Sequence, residues 1–171
     1  TTVPAPTPAP TAPPATPPPA PVPAAAPSVR FSFDSGTDGW GGQGHVTSLG
    51  SGTIAHDGPR SLQVGLKSTS GSDLPFVFVG VSGSSAPAPG QTLTAYVLVA
   101  GGSAAVQGKL FVQDTSFAWH MSPLVSLRQG GWTRLSLAVP SGIRVNQLGV
   151  QFLCTPVNQA ATVYVDSVNW G

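Results

Sequence analysis

The chain is 171 residues long and carries only 7 basic and 6 acidic side chains, 8% charged against a usual ~25%. A net charge of +1 leaves no electrostatic footprint for nucleic acid or an anionic membrane surface. All six acids are Asp, so the paired carboxyl groups that a hydrolase needs have few candidates.

Residues 1–28 hold 12 of the 19 prolines with 8 alanines and 5 threonines, and contain no glycine and no charge. Proline rings fix φ and remove backbone donors, and nothing here is apolar enough to bury. The tract therefore reads as a polyproline-II or disordered spacer that could hold two domains up to ~80 Å apart. Such Thr- and Pro-rich tracts are commonly O-glycosylated in secreted proteins. The N-terminus has no basic segment followed by an apolar core, and the chain starts inside the tract. Both features fit a piece cut from a longer, secreted protein. No run of ~18 apolar residues is long enough for a membrane-spanning helix. Residues 29–171 are left for one globular unit, the usual size of a single domain.

Past the tract the pattern turns to period two. Apolar residues alternate with polar ones at Leu93–Val99, Val106–Gln113, Arg134–Val139 and Gln147–Phe152. Shorter runs of the same kind lie at 29–34, 61–66, 76–81, 123–127 and 162–168. Turn signals such as Asp57-Gly58-Pro59, Pro89-Gly90 and Gln129-Gly130-Gly131 separate them. No window holds a 3.6-residue apolar period for three turns. Many short strands without helices predict an all-β fold, a β-sandwich of jelly-roll type with two antiparallel sheets. Trp40 and Trp132, each following a Gly-rich turn, are expected in the core, and Trp170 at the sandwich edge. Phe76 and Phe78 alternate with Val77 and Val79, which suggests a strand buried on both sides.

Little in the chain carries reaction chemistry. Gly39-Trp40-Gly41-Gly42-Gln43-Gly44 matches G-x-G-x-x-G, but no helix follows to complete a dinucleotide site. His45, His56 and His120 lack ligand spacing, and the single Cys154 sits in an apolar run as a small buried hydrophobe. Asp38, Asp57 and Asp73 fall in Gly-rich turns, and Asp114 ends a strand. Asp34 ends the first strand and Asp166 lies in the last. If those strands pair, the two carboxylates meet, either as solvated strand ends or around a hard cation such as Ca²⁺, with the 55–60 loop adding carbonyls and Asp57.

Several segments then resemble a known family in their order along the chain. They are Phe31-Ser32-Phe33-Asp34, Asp38-Gly39-Trp40, Gly58-Pro59-Arg60-Ser61-Leu62-Gln63-Val64 and Pro89-Gly90-Gln91-Thr92-Leu93. Lys109-Leu110-Phe111-Val112-Gln113-Asp114, Gly131-Trp132-Thr133-Arg134-Leu135 and Val163-Tyr164-Val165-Asp166-Ser167-Val168 follow. Together they are similar to the calcium-containing jelly-roll carbohydrate-binding modules attached to plant-cell-wall endoglucanases, xylanases and mannanases. The resemblance implies a structural Ca²⁺ held by Asp34, the Asp57 loop and Asp166, away from the ligand. Many relatives carry Glu at the first of these positions.

A sugar site needs a flat ring for the pyranose C–H face and planar polar groups for its hydroxyls. One face of the 106–113 run carries Gln107, Lys109, Phe111 and Gln113, and Gln147 and Gln151 occupy the matching face of the 147–154 run. Tyr96 has the corresponding phase in 92–99. If these strands share a sheet, they make a shallow polar floor suited to an uncharged glycan. Trp119, in the polar stretch after Gln113, is the expected aromatic platform, with His120 beside it as a hydroxyl partner.

The leading expectation is a monomeric, non-catalytic module that binds a β-linked plant-cell-wall polysaccharide of β-1,4-glucan, mannan or glucomannan type. The linker would tether it to a glycoside hydrolase and raise the local concentration. The alternative is a structural or adhesion sandwich with no sugar ligand. A small hydrolase is a distant third, because only Asp114, Lys109 and His120 lie near the face.

Overall fold

The computed structural model describes residues 29–171, so the spacer expected at 1–28 lies outside the described residues. Eleven strands follow in order: β1 (Gly41–Gln43), β2 (Val46–Gly52), β3 (Ser61–Lys67), β4 (Phe76–Gly80), β5 (Thr92–Val99) and β6 (Ala105–Asp114), then β7 (Trp119–Met121), β8 (Val125–Ser126), β9 (Trp132–Ala138), β10 (Val145–Thr155) and β11 (Ala160–Trp170). They form two antiparallel sheets. One has the order β1-β4-β10-β6-β7, with β8 also pairing β6, and the other β2-β3-β11-β5-β9. This is the all-β jelly-roll sandwich that the period-two runs predict.

The core lies between the sheets and is supplied by every second residue. Val77 and Val79 of β4, Leu110 and Val112 of β6, and Leu148, Val150 and Phe152 of β10 face Leu62 and Val64 of β3, Leu93, Ala95 and Val97 of β5, and Val163 and Val165 of β11. Cys154 is buried in the same cluster. Trp40 is buried edge-on against Phe31 and Phe33, at 5.6 and 5.5 Å between ring centroids. Trp170 closes the margin beneath the Arg30 guanidinium.

Three local readings change. The expected first strand at 29–34 pairs only through the bridge between Phe31 and Val168, which still joins the two ends of the domain. β1 and β2 carry almost no apolar alternation, because both are edge strands with most side chains in solvent. Trp132 is not in the core: it is half-buried at the start of edge strand β9, edge-on to His56 at 5.5 Å.

Candidate functional site

The outer face of the six-stranded sheet is where predicted binding residues converge. Its strand register builds rows of side chains across the sheet. One row runs Gly41, Phe78, Gly149, Phe111, Met121, and its neighbours run Gln43, Phe76, Gln151, Lys109 and Gly80, Gln147, Gln113, Trp119. Because side chains alternate across a strand, all of these point away from the core.

Gly149 sets the geometry at the centre. A Cβ there would run into the Val77 backbone carbonyl of β4 and lie 2.7 Å from the tip of the Phe111 ring, so the missing side chain lets both the neighbouring strand and that ring close over β10. Trp119 then packs on Phe111 at 4.6 Å and 43°, and Phe76 meets both rings edge-on, at 5.7 Å from Phe111 and 5.6 Å from Trp119. Phe78 continues the cluster 5.6 Å from Phe76. The tilted and edge-to-face arrangements are those that aromatic quadrupoles favour. The result is an aromatic bed bordered by Gln113, Gln147, Gln151 and Lys109, all half-buried. The Gln151 side-chain oxygen is buried with no hydrogen-bond partner among the described residues.

The expected site residues separate into two groups. Trp119 is 38% exposed at the top of the bed, Lys109, Gln113 and Gln151 stand in its rows, and Gln107 lies on the same face further along β6, opposite Leu153. Phe111 lies on this face but is 0% exposed, so it supports the platform instead of offering a surface. Tyr96 is on the other sheet: β5 pairs with β9 and β11, and the Tyr96 ring stacks on His56 at 3.7 Å. Alternation marked it as outward but could not say from which sheet. His120 points away from the bed. It sits opposite core-facing Val112, and its Nε2 donates to Asp114 Oδ2 at 2.9 Å.

Residues that the sequence reading left out complete the site. Phe76 and Phe78 are half-exposed walls of the bed, not members of a doubly buried strand, and Met121 extends it beside Phe111. Their signal was present: two rings at i and i+2 opposite valines mark a strand with an aromatic outer face.

The aspartates are engaged elsewhere. Asp38 accepts the Phe33 N–H, Asp73 binds Thr69 and His45, and Asp114 caps the turn after β6. Asp57 lies in the 55–60 loop, and Asp34 and Asp166 both contact it. Asp166 is buried, and its Oδ2 accepts the His56 and Asp57 N–H groups at 2.7 and 3.1 Å while Oδ1 accepts the Ser167 N–H at 2.6 Å. Burial pushes this carboxyl above the usual carboxylate range, against the pull of those N–H donors. The Asp34 carboxylate packs into the space a Gly58 side chain would occupy, and Asp57 Oδ1 accepts the Gly58 N–H at 3.0 Å. Asp34 and Asp57 thus fit as oxygen donors for a hard cation beside Gly58, whereas Asp166 is committed to N–H groups. Among the described residues, no three acidic, histidine or cysteine side chains form one metal-holding group.

A cleft of about 680 Å³ lies at the sandwich margin between Arg30, Trp170, Pro87 and Arg144, and contains none of the expected binding residues.

A jelly-roll sandwich with an aromatic bed and a fringe of amides on one sheet has the architecture of a carbohydrate-binding module. Residues 31–167 match the family described as mannanase, galactose-binding domain-like, and the chain belongs to that family. No curated protein matches it. Among solved structures, it is similar to one from a study of the promiscuous specificity of carbohydrate-binding modules of the β-sandwich superfamily (TM-score 0.66, 20% identity, 85% of this chain and 62% of that one). The chain therefore spans less than two thirds of that structure's length. It is also similar to the CBM22-1 xylan-binding domain from Paenibacillus barcinonensis (0.57, 19%, 86% and 96%) and to TmCBM61 in complex with β-1,4-galactotriose (0.60, 13%, 82% and 93%). At these identities the likeness is one of fold.

Proposed function

We propose that the domain is a non-catalytic module that binds a single β-linked plant-cell-wall polysaccharide chain, of mannan, glucomannan or β-1,4-glucan type, on the outer face of the six-stranded sheet. The observation that carries this reading is the stacked bed: Trp119 on Phe111 on Gly149, ringed by glutamines that donate and accept at once. The family description favours a mannan-type ligand. The solved structures support glycan binding in general, since one is a xylan-binding domain and another holds β-1,4-galactotriose. The local engagement of the aspartates supports a binding role over hydrolysis, because Lys109 is the one ionisable group in the fringe. In this reading the 1–28 tract tethers the module to an extracellular glycoside hydrolase, and the module acts as a monomer. Asp34 and Asp57 are the proposed ligands of a structural Ca²⁺, remote from the sugar.

Affinity gel electrophoresis of the full chain against glucomannan, galactomannan, hydroxyethyl-cellulose, xyloglucan, mixed-linkage glucan and xylan tests the reading. Retardation by at least one polymer, lost in Trp119→Ala, is the expected result. Truncating a central aromatic costs at least about 2 kcal/mol, roughly 30-fold in affinity. Folded protein that no polymer retards would leave the structural sandwich as the better account.

A further inference from the structure

Among the described residues, the exposed large apolar side chains are strongly clustered. Phe117, Trp119, Met121, Leu124 and Val125 fall within one stretch, and only Ile54 and Val157 lie elsewhere. Phe117 is the extreme case at 71% exposed. Its φ is +64°, a left-handed conformation in which a bulky side chain is a genuine outlier. Glycine or asparagine would make this turn with less strain. Phe33 has a similar φ of +58° but buries its ring in the core, whereas Phe117 turns its ring to solvent; strained positions cluster at ligand sites, and this one gains nothing from packing.

The turn beneath it is held by many bonds to one residue. The Asp114 carbonyl accepts the Phe117 N–H at 2.9 Å, and Asp114 Oδ1 accepts the Ser116 and Ala118 N–H groups at 2.8 and 3.0 Å. Asp114 Oδ2 takes the His120 ring at 2.9 Å. On the binding-face side, the Gln113 amide reaches the Phe117 carbonyl at 3.4 Å. One buried carboxylate therefore fixes the segment that carries both Phe117 and Trp119, and the turn sits at the Gln113 end of the aromatic bed.

We propose that Phe117 is a second aromatic contact for the polysaccharide, presented beyond Trp119 by the Asp114-capped turn, so that the site extends past the sheet along the glycan chain. This rests on the polysaccharide reading above. Pre-organised aromatic rings bind at low conformational cost, which is what a rigid turn supplies. Asp114 is a positioning residue in this scheme and touches no sugar.

The test uses the full chain with glucomannan and with manno- and cello-oligosaccharides of three and six units. Phe117→Asn suits the left-handed backbone but removes the ring. It is expected to keep or raise the melting temperature and to weaken glucomannan and hexasaccharide binding by roughly fivefold or more, with little change for the trisaccharide. Phe117→Tyr keeps a ring and is expected to retain wild-type affinity. Hexasaccharide affinity unchanged in Phe117→Asn, while Trp119→Ala still abolishes binding, would overturn the role of Phe117 and leave the polysaccharide reading intact. If the folded wild-type chain binds none of these glycans, the polysaccharide reading fails and takes this inference with it.

Discussion

Gly149 and Phe111 face each other across β10 and β6, and the ring of one occupies the side-chain space that the other lacks. This pairing turns a sheet face into a shelf. A side chain at 149 would press on the Val77 backbone carbonyl of β4 and on the Phe111 ring, and Trp119 rests on that ring.

Gly149→Ala is therefore expected to disturb folding and binding together. Overpacking at a tight site costs about 1–3 kcal/mol. We expect a lower denaturation midpoint and weaker glycan binding, read by urea titration and affinity electrophoresis. A substitution that left both unchanged would show that the shelf tolerates a raised ring.

Tyr96 offers the complementary control. Its ring lies on the opposite sheet from the aromatic bed, against His56. Tyr96→Ala should leave glycan affinity at the wild-type value while lowering stability by the loss of one half-buried ring, on the order of 1–2 kcal/mol. Calorimetric titration beside a thermal melt separates the two, and a fall in affinity without unfolding would place the glycan on the five-stranded sheet.

The fate of Tyr96 also marks how far this fold can be read from its sequence. Period-two alternation identifies the long strands and their outward positions, and Gln107, Lys109, Gln113, Gln147 and Gln151 do share one face as expected. Alternation carries no information about which strands become neighbours, and that is decided by long-range pairing such as β6 with β10 and β5 with β11. For the same reason, Phe111 was legible as outward but not as covered. Its burial depends on Phe76 and Trp119, which arrive from β4 and β7. Edge strands β1 and β2 stayed invisible because solvent on most of their surface removes the apolar signal.

Acid should act through Asp114. The hydrogen bond from His120 is the main cause that holds this carboxyl below the usual carboxylate range, with the Ala118 and Ser116 N–H groups adding to it against some desolvation. The folded-state value is depressed, so the stabilisation is present above the ordinary carboxylate range and is lost as pH falls through the depressed value. Wild type should lose melting temperature more steeply than Asp114→Asn on acidification below about pH 4. Parallel curves for the two proteins would show that the turn gains nothing from the charge.

The last prediction concerns the loop at 55–60. Asp34 and Asp57 both touch Gly58, while Asp166 is occupied by the His56, Asp57 and Ser167 N–H groups. If Ca²⁺ binds, the two outer carboxylates supply its charge and Asp166 serves as the latch that shapes the loop. At a concentration near 100 times its dissociation constant, a cation that binds only the folded state adds about 2.7 kcal/mol. Calcium should accordingly raise the melting temperature of wild type and of Trp119→Ala, whose site is on the other sheet, but not of Asp34→Ala, and a chelator should reverse the gain. Glycan affinity should hold through both treatments, since the loop borders the five-stranded sheet and the aromatic bed lies on the other. A melting temperature indifferent to calcium would leave Asp166 and its N–H donors as the whole of the loop's support.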